Sequence, residues 1–292
     1  MTLKEHLDAY ERLMRLHQPI GALLLLWPAM WGLWLAKYGI PDPEILAIFI
    51  VGVLLTRSAG CIINDLADRK FDPHVERTRD RPLAAGIVKP AEAWTVAGIL
   101  LLLAFSLVMN LNRLTILLSF VALAIMVIYP FLKRSFVFPQ AWLGLAFGFA
   151  IPMAYAAQYG KLVPVTWVLL LGNIFWAIAY DTEYAMVDRD DDVKLGLKSS
   201  AILLGHHDVT GVMVAQSLFL TIMAVIGLWQ FLGVLYYAGL AVAAVLVIYQ
   251  YQLIEGRTRE GCFKAFRNNN WVGFAIFVGL ALDLYFRIRF KS

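Results

Sequence analysis

The stretch Ala47–Asp72, AIFIVGVLLTRSAGCIINDLADRKFD, decides how the chain is read. With Ile45 and Leu46 ahead of it, it is long enough to cross a bilayer, which takes about 20 mainly apolar residues as a helix. Only Arg57 interrupts it with a charge, and then Asn64, Asp65, Asp68 and Asp72 follow at its end. Carboxylates at a membrane edge are costly and must be compensated. Residues four apart share a helix face, so Asn64, Asp68 and Asp72 fall on one face if the helix continues past the span. Like charges stacked in this way repel, and the pattern asks for a positive partner.

The rest of the chain fits a membrane setting. Of its 292 residues 61% are hydrophobic and 16% charged, against roughly 45–50% and about 25% in soluble domains. The aromatic share of 13%, with nine Trp, suits lipid–water interfaces. Nine spans are expected: 20–36, 45–63, 94–109, 114–131, 141–157, 165–185, 209–231, 234–252 and 271–286. They lack strand alternation, so the fold class is all-α, a bundle of nine transmembrane helices around a central cavity, and residues 1–292 read as a single domain.

Connectors alternate between short ones, such as NLNR, and long charged ones, chiefly 65–93, 186–208 and 253–270. Lys and Arg gather on the long-loop face, which that excess marks as cytoplasmic. The N-terminus is then expected inside and the C-terminus in the periplasm, with Arg287, Arg289 and Lys291 as a local exception. The net charge of +4 carries no aromatic-interleaved basic run, so nucleic acid is not an expected partner. Residues 1–19 lack the pattern of a signal peptide. Leu3, Leu7, Tyr10 and Met14 recur at helical spacing, which suits a helix on the membrane surface or an ordinary solvated one. Cys61 reads as packed in a helix and Cys262 as part of a polar loop.

A second acidic stretch, Tyr180–Asp192 (YDTEYAMVDRDDD), ends the sixth span. Asp188 and Asp192 repeat the four-residue spacing on the same membrane face, and Asp181 lies two turns earlier. Asp190 and Asp191 read as a solvated helix end. The donors are all oxygen, and no His or Cys set has metal spacing, so magnesium, calcium or manganese are the candidate cations. Magnesium takes one or two carboxylates and completes its shell with water and substrate phosphates. Two such patches can hold two ions around one diphosphate. Arg69, Lys70, Arg77, Arg81, Lys133 and Lys198 are available for its remaining oxygens.

NDLADRKFD resembles the N-D-x-x-D-x-x-x-D motif of the intramembrane aromatic prenyltransferase superfamily, and YDTEYAMVDRDDD is similar to its second motif. RLMRLHQPIGALLLLWPAMWGLWLA, YPFLKR and CFKAFRNNNWVG extend the likeness over nearly the whole length, toward the members that use 4-hydroxybenzoate in ubiquinone biosynthesis. The resemblance implies a nine-helix bundle with a cavity opening to the cytoplasm, Mg2+, and a polyprenyl diphosphate donor. The reaction it implies is transfer of the prenyl group to the ring carbon ortho to the acceptor's hydroxyl, in a bacterial inner membrane.

On this reading Asn64, Asp68 and Asp72, with Asp188 and Asp192, hold metal. Asp65 points elsewhere on the helix. Asp181 orients the acceptor or takes its proton, or else caps a helix. Arg57 grips the acceptor's carboxylate, or pairs with Asp181. Arg77, Arg81, Tyr129, Lys133 and Lys198 serve the phosphate or acceptor end, and Tyr129 alternatively faces a cation or is an interfacial aromatic. The glycine-rich WLGLAFGFAIP of the fifth span either packs helices closely or leaves room for the donor tail. Another aromatic acceptor is the nearest rival, and an ion-coupled transporter the rival from a different class, although these acids sit at one face and not at the midplane.

Overall fold

The computed structural model describes residues 3–74, 78–132, 138–196 and 198–291. Among them there are helices and turns but no strand. A surface helix α1 (Leu3–Met14) precedes α2 (Ile20–Lys37), α3 (Pro43–Asp68), α4 (Pro90–Val108) and α5 (Arg113–Leu132). The fifth span is a pair, α6 (Pro139–Gly148) and α7 (Ala150–Tyr159). Then come α8 (Pro164–Leu195), a short α9 (Ser200–Leu204), α10 (Asp208–Trp229), α11 (Val234–Ile254) and α12 (Arg259–Lys291). Nine of the described helical segments are long and apolar enough to cross a membrane, which agrees with the expected spans. The chain is a multi-pass membrane protein.

Local chemistry sets several ends. Pro43, Pro90, Pro139 and Pro164 stand at helix starts, where a missing N–H costs nothing and φ is already helical. Gly160 and Gly196 close α7 and α8 in the left-handed conformation. The fifth span breaks at Phe149, because Pro152 cannot donate to Gly148 and its ring crowds that carbonyl.

Three spans are longer than expected, and the excess lies at the charged ends. The second starts at Pro43 and runs to Asp68, the sixth runs to Leu195, and the ninth starts at Arg259. The last of these corrects the reading of Cys262 as a loop residue. Cys262, Ala265 and Asn269 recur at helical spacing and are fully buried, so a stretch rich in charge is one face of a helix.

The core is aromatic at its centre. Trp31 lies 5.2 Å from Trp176, and Phe219 stacks on both at 5.9 and 5.6 Å. Beside it runs a buried polar chain. Asn269 accepts from Trp176 Nε1 (3.0 Å) and Gln216 Nε2 (2.9 Å) and donates to Glu183 (2.7 Å), tying α8 to α10 and α12. In the fifth span, a Cβ on Gly144 would come within 2.7 Å of Ile174 Cα, so these glycines serve close packing of α6 on α8. By contrast α4 and α5 are the least buried spans, and Leu102, Phe120 and Leu123 on them are exposed.

Two further expectations resolve here. Helix α1 is docked on protein: Ala9 and Leu13 are buried against α3, α4 and Leu83, while Leu7 points outward. Tyr10 and Met14 of the expected stripe pack against the same cluster, beside Ala9 and Leu13. The C-terminal arginines are engaged locally. Arg287 pairs with Asp283 at 3.0 Å and donates to Tyr38 Oη, and Arg289 donates to Tyr285 Oη.

Candidate active site

The two acidic motifs line one cavity of about 1130 Å³. Asn64, Asp68 and Asp72 border it from the end of α3 and the following turn, and Asp181, Asp188 and Asp192 border it from α8. Arg57, Arg81, Tyr129 and Lys198 also belong to its wall. Arg77 and Lys133 lie outside the described residues. Arg69 and Lys70 are exposed and off this wall, because they follow Asp68 where α3 ends and point to solvent.

The two motifs are built differently. Asp188 and Asp192 ride on the continuous α8, which keeps their spacing by backbone geometry alone. In the first motif Asn64 Nδ2 donates to Asp68 Oδ2 at 3.3 Å, so those two do share a face. The helix ends at Asp68, however, and Asp72 sits in a one-turn 3₁₀ segment, Asp72–His74. Its place comes from contacts: Thr78 Oγ1 donates to its carbonyl at 2.8 Å, and Arg81 grips its carboxylate at 3.0 Å. Burial pushes the Asp72 carboxyl above its ordinary range, Arg81 opposes this, and the Asp65 and Asp68 charges add to the rise.

Asp65, left aside by the spacing argument, is 2% exposed and ion-paired twice. Arg15 reaches its Oδ1 at 2.5 Å and Arg81 the same oxygen at 3.0 Å. Its charge is thus met by arginines. Asp191 pairs with Arg259 at 3.3 Å and is partly covered, whereas Asp190 is the solvated residue expected at that end.

Arg57 lies two helical turns before Asn64 on α3. Among the described residues it is not ion-paired with Asp181; its guanidinium donates to Cys61 Sγ at 2.7 Å and lies 6.0 Å from the Phe147 ring centre. Its other neighbour is Gly21, where a Cβ would fall 2.3 Å from Arg57 Nη2. Arg12 and Arg15 of the α1 segment, and Arg267 of α12, are cavity residues that sequence spacing does not reveal. They approach from elements distant in the chain.

The donor set tests the fit of a divalent cation. All five candidate ligands offer oxygen and border the same cavity, and Asp72 is the carboxylate most deeply buried among them. Among the described residues no three His, Cys, Asp or Glu side chains form a ready-made cage. Magnesium relies on few carboxylates and on substrate phosphate, and the all-oxygen donor set on the cavity wall meets that demand.

An all-α membrane bundle whose polar acidic pocket opens into an apolar cavity is the architecture of an intramembrane enzyme for amphiphilic substrates. The chain belongs to the UbiA prenyltransferase family, whose family model matches residues 25–277. It is 58% identical to the 4-hydroxybenzoate octaprenyltransferase of Nitrosospira multiformis over 98% of this chain and 99% of that one. Its fold matches a UbiA homolog from Aeropyrum pernix K1, with TM-score 0.80 and 25% identity over 90% of this chain and 97% of that chain. It also matches a UbiA homolog from Archaeoglobus fulgidus bound to GPP and Mg2+, with TM-score 0.66 and 20% identity over 92% and 99%.

Proposed function

We propose that the protein transfers a polyprenyl group from polyprenyl diphosphate to the carbon ortho to the hydroxyl of 4-hydroxybenzoate, releasing diphosphate, in ubiquinone biosynthesis. Full-length relatives that carry this activity in their names support the acceptor. The observation that carries the chemistry is the convergence of both acidic motifs and Arg57 on one cavity. The whole chain acts as one transmembrane domain of the bacterial inner membrane, with the motif end and N-terminus cytoplasmic and the C-terminus periplasmic. The excess of Lys and Arg in the long loops supports that orientation.

Asn64, Asp68 and Asp72 on one side, and Asp188 and Asp192 on the other, would hold Mg2+. When bound, magnesium neutralises charge that builds on the leaving diphosphate. Arg81 and Lys198 on the wall do the same from fixed positions, and Arg77 and Lys133 are assigned to the diphosphate from the sequence alone. The apolar wall takes the first isoprene units. Arg57 binds the acceptor carboxylate, which presents the ring to the donor's first carbon.

The allylic C–O bond breaks with its electron pair leaving on diphosphate. The ring carbon ortho to the hydroxyl forms the new C–C bond. Asp181 accepts the proton lost from that carbon, and the Tyr129 ring face stabilises the allylic cation. The test is an assay of the purified protein with 4-hydroxybenzoate and farnesyl diphosphate, with and without a chelator. Prenylated product that disappears with chelator and returns with magnesium is expected. No product with this acceptor, but product with another phenol, would redirect the reading.

A further inference from the structure

Asp65 belongs to the first acidic motif by sequence, yet its surroundings separate it from Asp68 and Asp72. It is buried, and its Oδ1 receives two arginines from opposite directions in the chain. Arg81 comes from the loop after the motif and also holds Asp72 at 3.0 Å. Arg15 comes from just beyond α1, at a non-glycine residue with φ of 55°, a conformation held by its contacts. Arg12 adds a second tie, donating to the Asp80 carbonyl at 2.6 Å. Leu13 is fully buried beneath, and Tyr10 hydrogen-bonds to Glu92 at the start of α4. Arg12, Arg15 and Arg81 all border the cavity.

We propose that Asp65 is a positioning residue of the donor site. Through Arg81 it aims Asp72, and through Arg15 it fastens the N-terminal helix across the diphosphate end of the cavity. Both arginines meet Asp65 Oδ1, so its charge is already paired within the protein. Its contribution is to place two cations and one carboxylate where a diphosphate and its counterion are held. The α1 segment is then a wall of the donor site and not a detached surface helix. The inference rests on the prenyl-transfer reading and goes beyond it, because it assigns a non-ligand role within the motif and a site role to α1.

The test uses the full-length protein in proteoliposomes with farnesyl diphosphate, 4-hydroxybenzoate and magnesium. Asp65→Asn keeps size and removes charge. It is expected to raise the donor KM and the half-saturating magnesium concentration about tenfold, with acceptor KM unmoved and most turnover recovered at saturation. A merely structural lesion would lower the active fraction without moving the donor KM. Arg15→Gln, which leaves the Asp65–Arg81 pair in place, is expected to shift the donor KM the same way by about threefold. The two effects are non-additive in the double variant if they act through one contact.

A donor KM unchanged in Asp65→Asn overturns the proposal, as does a loss of turnover that saturating donor and magnesium do not recover. Should Asp65→Asn fail to fold, Arg15→Gln decides, and an unchanged donor KM there overturns it. Asp68→Asn, run alongside, is expected to lose turnover at any magnesium concentration. Full activity in that variant would sink the metal assignment, whereas the donor KM of Asp65→Asn still judges the positioning role.

Discussion

The two halves of the active site solve one problem in two ways. In each half a buried aspartate is clamped by two arginines near an acidic motif. Asp65 holds Arg15 and Arg81, and Asp208, with no exposed surface, holds Arg189 at 2.6 Å and Arg257 at 2.9 Å. The second clamp stands off the cavity and fastens α8 to the start of α10 and to the turn before α12. The first clamp is part of the cavity wall. The reason lies in the backbone. A motif carried on an unbroken helix needs only that the helix stay put. A motif whose last carboxylate has left its helix needs a side chain to aim it.

The comparison breaks first at the ligands. Asp68→Ala and Asp188→Ala should each cost about 10²–10³-fold in turnover, the scale of losing one charge-stabilising group, with the protein still folded in detergent. A large loss in one and normal turnover in the other would show that the two halves are not functionally paired. The clamps come next. Asp208→Asn leaves two arginines facing a neutral amide, and should lower unfolding stability on the order of 3 kcal/mol while the donor KM stays put. A thermal unfolding midpoint equal to the parent's would remove the structural role given to it.

The smallest effects concern the acceptor end. Arg57→Ala should raise the KM for 4-hydroxybenzoate about tenfold, as expected for a charged hydrogen bond, with donor KM unaffected. Gly21→Ala should act in the same direction by about threefold, because the new methyl displaces the guanidinium that rests on that glycine. The amide of the acceptor, which carries no negative charge, should be insensitive to both substitutions. Equal sensitivity of acid and amide would take the carboxylate away from Arg57.

Much of this was legible in the chain. Apolar runs of membrane length marked the spans, and the four-residue spacing of Asn64 with Asp68, and of Asp188 with Asp192, placed those side chains on common faces. Helical periodicity is local, so it carries that far. It does not by itself show Asp72 leaving the helix; that signal is Pro73, which cannot donate to Arg69 and disfavours the helical conformation at Asp72, and which the four-residue spacing passes over. Nor could it find Arg15 against Asp65, a contact across fifty sequence positions made by tertiary packing. Cys262 was misplaced because the charged residues around it, Arg257, Arg259 and Lys264, resemble a loop until the buried stripe beneath them is seen. The break in the fifth span, by contrast, follows from Pro152 directly.

The sparse burial of α4 and α5 has a consequence for what the enzyme can measure. Leu102, Phe120 and Leu123 border the cavity and are exposed, so α4 and α5 give the chamber a thinly packed apolar side. Fixed polar contacts at one end and a thinly packed apolar side at the other mean that the protein holds the head of its donor more firmly than it measures the tail.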